Sequence, residues 1–143
     1  MPTRRDSLKW LGTGLLLPVV PPLLLHGCAG LSAYRGRILS DQIRIPKTNA
    51  ETLLLPNGLL VVTALNLAGS IVLRNVTKEG IVALSSVCTH RGCELRPFPD
   101  SLRCPCHGSK FDAVGEVIQG PAHAPLTRYR VEETETAYII HFV

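Results

Sequence analysis

A chain of 143 residues with 45% hydrophobic and 5% aromatic residues has an ordinary globular composition, with room for one domain and a short extra segment. The formal net charge is +4, and half of it comes from residues 1–27, where Arg4, Arg5 and Lys9 outnumber Asp6. The remaining positive excess is too small to indicate a nucleic-acid-binding protein. We therefore expect no nucleic acid among the partners.

The N-terminal segment has the order of an export signal, in which charged residues precede an apolar run. Arg4 and Arg5 stand before an uncharged stretch from Trp10 to Leu25, and three prolines interrupt this stretch too often for a buried core helix. The stretch is also short for a membrane span. We predict that residues 1–28 are an export signal or a membrane anchor.

Two short patterns add detail to this segment. The residues TRRDSLK at positions 3–9 resemble a twin-arginine signal, with Ser7 where such signals usually have Phe. The residues LHGC at positions 25–28 resemble a lipoprotein cleavage box with His26 in place of a small residue, which makes Cys28 a candidate for lipidation. The alternative is an uncleaved anchor. Either outcome tethers the protein to a cell membrane, and we expect it on the periplasmic or outer face.

The rest of the chain is predicted to be a linker followed by β-structure. Residues 29–37 are small and polar without hydrophobic periodicity, which predicts a flexible linker. Over residues 38–143, short apolar runs alternate with Pro, Gly and Asn turns, which predicts an all-β domain built as a small antiparallel sandwich or barrel. The predicted strands are RILSDQIRI, TLLL, LLVVTAL, SIVLRN, GIVALSS, RYRVEE and AYIIHFV.

Four cysteines and two histidines lie on two short hairpin loops between predicted strands. CTHRGC occupies residues 88–93 and CPCHGS occupies residues 104–109. Two thiolates and two imidazoles suit tetrahedral zinc, and they equally suit a diiron cluster in which one iron takes both cysteines and the other both histidines. The spacing does not separate the two metals. The candidate ligands are Cys88, His90, Cys104 and His107.

Cys93 and Cys106 remain, and they can be spare ligands, free thiols or disulfide partners. In an exported protein, oxidation to a disulfide is favoured over free thiols. A disulfide would fasten the two loops together and hold the ligand cage shut against water. A structural zinc site needs no such clamp, but a zinc-binding domain stays open as an alternative of a different functional class.

The motifs CTHRGC and CPCHGSKFD, with GPA at residues 120–122, resemble the Rieske iron–sulfur protein family, of the disulfide-bearing kind found in cytochrome bc and b/f complexes. The resemblance covers residues 71–143 and implies a Rieske-type β-sandwich with a [2Fe-2S] cluster. It implies two iron ligand pairs and one disulfide: Cys88 with Cys104, His90 with His107, and Cys93 with Cys106. It also implies a proline loop that covers the cluster, formed by Gly120, Pro121 and Ala122.

Three further positions bear on the reduction potential and on docking. Imidazole ligands place Rieske clusters at roughly −150 to +300 mV. The resemblance gives Ser109 a hydroxyl that donates to a bridging sulfide, whereas Phe111 stands where high-potential members have a tyrosine donor, so we expect a potential below the top of this range. Arg91 stands where the family usually has Leu in an apolar docking tip. Its charge should lower the pKa of His90.

We therefore predict a membrane-tethered electron-transfer protein, the iron–sulfur subunit of a quinol to cytochrome oxidoreductase of the cytochrome bc type or a free-standing relative. The expected partners are cytochrome b and a c-type cytochrome or another redox subunit, with quinol as a possible electron donor. We predict no catalytic side chain beyond the cluster site. The charge of Arg91 favours an alternative, the small Rieske subunit of a periplasmic oxidoreductase such as arsenite oxidase.

Overall fold

The computed structural model describes residues 31–142. The predicted export segment, Cys28 and the first two residues of the predicted linker lie outside this range. Within it the chain is almost entirely β-structure, which confirms the predicted all-β class. Two short 3₁₀ helices are present, at Lys47–Asn49 and Glu51–Leu54. Among residues 31–142, no helix is long and apolar enough to cross a membrane.

Eleven strands form a large and a small sheet. In chain order they are β1 (Ser32–Gly36), β2 (Gln42–Pro46), β3 (Leu59–Ala64), β4 (Ile71–Val76), β5 (Gly80–Ser85), β6 (Arg96–Pro97), β7 (Leu102–Arg103), β8 (Lys110–Phe111), β9 (Val117–Gln119), β10 (Arg128–Glu133) and β11 (Ala137–His141). The base sheet has the strand order β1-β3-β4-β5-β10-β11-β2. The small sheet has the order β6-β7-β8-β9.

The base sheet curls until it nearly closes. Its edge strands β1 and β2 approach each other, and the Tyr34 hydroxyl donates to the Arg44 carbonyl at 3.2 Å. Every strand pair among the described residues is antiparallel, as predicted, except that β1 runs parallel to β3 from the Ser32–Leu60 pair onward. The parallel pair is possible because a long connection, including β2 and both 3₁₀ helices, separates the two strands.

The predicted flexible linker is wrong for residues 32–36, which form β1. Tyr34 packs against the core of the base sheet, and the backbone pairs with β3. Gly36 is required by close packing and not by flexibility, because a Cβ atom there would come within 2.7 Å of the Ile43 side chain. A short edge strand needs few apolar residues, so its small, polar sequence resembled a linker.

The predicted strand TLLL is also wrong, since these residues lie in and just after the second 3₁₀ helix. Only Leu53 turns into the core, whereas Leu54 and Leu55 are 67% and 63% exposed. The Thr52 hydroxyl donates to the Leu59 carbonyl at 3.0 Å and holds the helix against the start of β3. An apolar run between turns therefore does not by itself identify a buried strand.

Two hydrophobic clusters organise the domain. The first lies within the base sheet and includes Ile43, Leu60, Leu73 and Ile140. The second joins the base sheet to the small sheet and includes Val72, Leu84, Leu95, Leu102, Phe111, Cys88 and Cys104. Each buried leucine-sized side chain contributes about 1.5–3 kcal/mol. The second cluster thus fixes the small sheet, and the loops attached to it, against the base.

Arg74 on β4 crosses the boundary between the two sheets. Its side chain is 2% exposed, and its Nη2 donates to the Phe98 carbonyl at 2.7 Å. Burial lowers the pKa of the Arg74 guanidinium, an effect that Asp100 and Asp112 oppose. Arg74 therefore adds a polar tie between the base sheet and the turn after β6.

Candidate metal centre

Two six-residue loops at one end of the small sheet share a hydrogen-bonding pattern. The first loop, residues 88–93, is closed by the antiparallel bridge between Val87 and Glu94, and the second loop, residues 104–109, by the antiparallel pair of β7 and β8. In each loop the first N–H donates to the sixth carbonyl, at 2.9 and 2.8 Å. The fifth N–H donates to the first carbonyl, at 2.8 and 3.1 Å. The predicted pair of hairpin loops is present.

A glycine occupies the fifth position of both loops. Gly92 and Gly108 have φ angles of 75° and 81°, a conformation that side chains disfavour. The sequence carried this signal as a repeated C-x-x-x-G pattern beginning at Cys88 and Cys104. Sequence reasoning concentrated on the cysteines and histidines and missed the repeat.

The sixth position of the first loop is bonded to the third position of the second loop. Cys93 and Cys106 form a disulfide with their Cα atoms 6.6 Å apart, which confirms the predicted bridge. The Sγ atom of Cys104 lies within 4.8 Å of both disulfide sulfurs. Because the two bridged sulfurs are bonded to each other, Cys104 is the thiol of this trio that can act as a thiolate ligand.

The first residue of each loop is a buried free cysteine. Cys88 is 2% exposed and Cys104 is 4% exposed. Burial opposes ionisation of Cys104, but hydrogen bonds from the backbone N–H groups of His107 and Cys106, and from Cys88, outweigh it and lower the pKa of the Cys104 thiol. A lowered pKa favours the thiolate, which is the form that binds metals.

The two predicted histidine ligands face one another. The ring centroids of His90 and His107 lie 4.9 Å apart with their planes at 89°. His107 is exposed, while His90 is half-buried and its Nδ1 atom is buried without a hydrogen-bond partner among the described residues. Burial, followed by the positive charges of His107, Arg91 and His123, lowers the pKa of His90. Neutral imidazole, the form that binds metals, is therefore favoured.

The predicted proline loop contacts the second loop, and the segment that follows it contacts the first loop. The backbone N–H of Ala122 donates to the Ser109 hydroxyl oxygen at 3.0 Å, which leaves the hydroxyl proton of this fully buried serine to donate elsewhere. The Thr89 hydroxyl donates to the Ala124 carbonyl at 2.6 Å. The sequence contained no signal for the Thr89 contact, because the two residues are distant along the chain.

Phe111 and Arg91 differ in their exposure. Phe111 is fully buried in the second hydrophobic cluster, the cluster that also contains both free cysteines. Arg91 is exposed at the fourth position of the first loop, which is the position that His107 occupies in the second loop. The structure thus puts a phenyl ring in the buried cluster that contains both free cysteines, and a guanidinium at the exposed rim of the first loop.

The available donors fit a metal group that takes both sulfur and nitrogen. Two buried thiols, one with a lowered pKa, lie between loops that are bridged by a disulfide. The buried Nδ1 of His90 lacks a partner among residues 31–142 and can bind a cation. Tetrahedral zinc and a diiron cluster both accept such donors, so the donor set alone leaves the metal open.

Comparison with known proteins decides between them. Residues 49–130, more than half of the chain, match the Rieske [2Fe-2S] domain family. The protein belongs to the Rieske family. A Rieske domain binds a [2Fe-2S] cluster, so the cofactor predicted from the sequence is confirmed and iron is favoured over zinc.

Individual relatives of this Rieske protein are iron–sulfur subunits. The chain is 33% identical to the cytochrome b6-f complex iron-sulfur subunit 2 of Trichormus variabilis over 105 residues, 70% of this chain and 58% of the relative. It is 41% identical to the corresponding subunit of Chlorobaculum tepidum over 54 residues, 36% of this chain and 30% of the relative. The chain thus spans less than two thirds of the length of these relatives.

A solved structure, described as hyperthermophilic respiratory Complex III, is also similar to the Rieske protein. The match has a TM-score of 0.50 at 27% sequence identity, and it covers 59% of this chain and 66% of that chain. The matched part of the chain is therefore much longer than the two loops.

Proposed function

We propose that the protein is a membrane-tethered electron carrier, the iron–sulfur subunit of a quinol to cytochrome oxidoreductase of the cytochrome bc type or a free-standing relative. The observation that carries the proposal is that two buried thiols and two neighbouring imidazoles lie on the same pair of disulfide-bridged loops. The names of the cytochrome b6-f relatives support it. The N-terminal signal pattern and Cys28 support the tether and a position on the periplasmic or outer face of a cell membrane.

The proposed ligands divide between the two iron atoms by chemistry. The Sγ atoms of Cys88 and Cys104 would hold one iron, and ring nitrogens of His90 and His107 would hold the other. For His90 the buried, unpartnered Nδ1 is the atom we assign to iron. When bound, the [2Fe-2S] cluster supplies a one-electron acceptor whose potential is raised by its imidazole ligands.

The other side chains of the site support this ligand set. Ser109 keeps its hydroxyl proton free for a cluster sulfur because its oxygen already accepts from Ala122. The exposed ring of His107 can hold or release a proton at its outer nitrogen, where a quinol or its product can reach it. Proton binding at this nitrogen and electron uptake favour each other, since each offsets the charge of the other.

The first test is a redox titration of the protein across pH, monitored by electron paramagnetic resonance. We expect the reduction potential to be constant at low pH. It should fall by about 59 mV per pH unit once an imidazole of the oxidised protein has lost its outer proton, because each electron taken up is then accompanied by one proton. A potential that stays constant up to strong alkali would contradict exposed histidine ligands. Zinc without iron or acid-labile sulfide would contradict the whole proposal.

The buried position of Phe111 gives a second test of the site. Phe111→Tyr should raise the reduction potential by about 60 mV, if the new hydroxyl gives a sulfur of the reduced site one hydrogen bond worth about 1.4 kcal/mol. The matched control is Phe98→Tyr, which adds the same hydroxyl at an exposed turn and should leave the potential unchanged. A folded Phe111→Tyr protein with an unchanged potential would show that position 111 does not reach the cluster sulfurs.

The exposure of Arg91 supports a second candidate function. A guanidinium at the rim of the first loop disfavours entry into an apolar quinol-site socket, because burying an unpaired charge is costly. The alternative is a small Rieske subunit of a periplasmic oxidoreductase such as arsenite oxidase. Co-purification with a b-type cytochrome and reduction by quinol would support the first function. A molybdenum-containing partner subunit would support the second.

A further inference from the structure

Three cationic side chains lie side by side across the small sheet. Arg96 on β6 is the register partner of Arg103 on β7, and Arg103 is the register partner of Lys110 on β8. Register partners project from the same face of a sheet. Their neighbours Leu102 and Phe111 are fully buried on the opposite face. Arg96, Arg103 and Lys110 therefore form one outward-facing row, which we name the basic row.

The juxtaposition of these three charges does not itself stabilise the sheet. Like charges directly opposite each other on neighbouring strands destabilise a sheet. None of the ion pairs among residues 31–142 involves the basic row. Arg103 instead stacks over the Phe98 ring, with its guanidinium carbon 4.4 Å from the ring centroid, so one of the three charges is held in a defined position.

The basic row lies at the end of the small sheet that carries the two loops. Arg103 immediately precedes Cys104, and Lys110 immediately follows Ser109. Arg96 begins β6 shortly after the first loop. The backbones of Arg103 and Lys110 thus adjoin the second loop, whereas the Arg103 guanidinium leans over Phe98 in the turn after β6.

The acidic residues of the same region are placed elsewhere. Residues 88–126 contain four Lys or Arg and four Asp or Glu residues, so the region as a whole is balanced. Three carboxylates lie in the turns at the opposite end of the strands: Asp100, Asp112 and Glu116. The fourth, on Glu94, accepts a hydrogen bond from the Ser70 hydroxyl at 2.8 Å. Of the basic row, Arg96 and Lys110 therefore stand at the loop end of their strands, while the Arg103 guanidinium leans toward the turn that holds Asp100.

We propose that the basic row docks the acidic face of a protein redox partner beside the cluster loops. The inference rests on the proposed electron-transfer function and adds the charge of the partner. A positive face next to the site of electron exchange speeds the encounter with an acidic protein and orients it. A redox protein is favoured over an anionic lipid surface because the proposed electron-transfer function requires a partner that exchanges electrons, which a lipid surface does not supply.

The test measures how fast the reduced full chain, in neutral detergent, passes electrons to an acidic and to a basic c-type cytochrome. For the acidic cytochrome, the second-order rate constant should fall by about tenfold or more from low to high ionic strength. The variant Arg96→Glu/Arg103→Glu/Lys110→Glu should lose this dependence and react faster with the basic cytochrome. The variant Arg96→Gln/Arg103→Gln, which adds no new charge, should lose part of the dependence on ionic strength. This variant also tests the proposal if the triple variant does not fold.

Lys78→Glu is the matched control, since Lys78 is exposed in the turn between β4 and β5 of the base sheet. The proposal would be overturned if Lys78→Glu changed the rate constant for the acidic cytochrome as much as the double glutamine variant does. It would also be overturned if this rate constant in the unchanged protein did not depend on ionic strength. Loss of binding to phosphatidylglycerol vesicles in the triple variant, with the cytochrome rate kept, would identify a lipid surface instead. Absence of a paramagnetic signal after reduction would count against the proposed function and not against docking.

Discussion

The His107→Ala variant is expected to lose its [2Fe-2S] cluster, whereas His123→Ala is expected to keep it. Both histidines are exposed, and both carry charge close enough to lower the pKa of His90. They differ in placement, because only His107 faces the His90 ring from the bridged second loop. Loss of a group that merely supports a ligand costs about 10- to 100-fold in metal affinity, so loss of the ligand itself should cost more.

The measurement is iron and acid-labile sulfide per chain, together with the electron paramagnetic resonance spectrum after reduction. The His123→Ala protein controls for the loss of an exposed imidazole near the site. If His107→Ala retains iron and sulfide in full, His107 is not a ligand. If His123→Ala loses them, the second imidazole comes from the segment that follows the proline loop.

Replacing Cys93 and Cys106 together by serine is expected to destabilise the domain by about 3 kcal/mol, the chain-entropy value for a bridge that closes a loop of about 15 residues. The two cysteines are 13 positions apart, and the bridge joins two loops whose other backbone hydrogen bonds are mostly internal to each loop. Without it, we expect the loops to separate more readily and to release the cluster faster.

Two readouts follow the disulfide variant. Denaturant unfolding monitored by circular dichroism reports the free energy of unfolding, and bleaching of the visible absorption in air reports cluster release. Cys28→Ser is the control, because it removes the fifth cysteine without touching the bridge. Unchanged unfolding and bleaching in the Cys93→Ser/Cys106→Ser protein would show that the internal hydrogen bonds of the loops are sufficient.

Local sequence predicted those parts of the fold in which a short apolar run is also buried in the structure. SIVLRN and GIVALSS became β4 and β5, whose residues pack into both hydrophobic clusters. Prediction failed where one of the two conditions was missing. β1 is a strand with few apolar residues, and Leu54 and Leu55 are apolar residues that stay exposed.

The metal centre was likewise predictable from the sequence only in part. Its donors are short-range features, since cysteine and histidine spacing within a loop can be read along the chain. Its supports are contacts between distant segments, such as Ser109 with Ala122 and Thr89 with Ala124, and these exist only once the proline loop and the segment that follows it have folded against the two loops. The basic row is a matter of register, because Arg96, Arg103 and Lys110 are seven residues apart and become neighbours only through strand pairing.

The matching hydrogen bonds of the two loops separate scaffold from chemistry. Both loops use the same hydrogen-bonded backbone frame of six residues. The side chains at the third, fourth and sixth positions alone therefore decide whether a loop supplies a candidate metal ligand, a disulfide cysteine or an exposed imidazole. Such a frame is modular. A protein designer could graft two such loops, facing each other, onto other hairpins. The side chains of the resulting redox site could then be changed without changing the backbone of the loops.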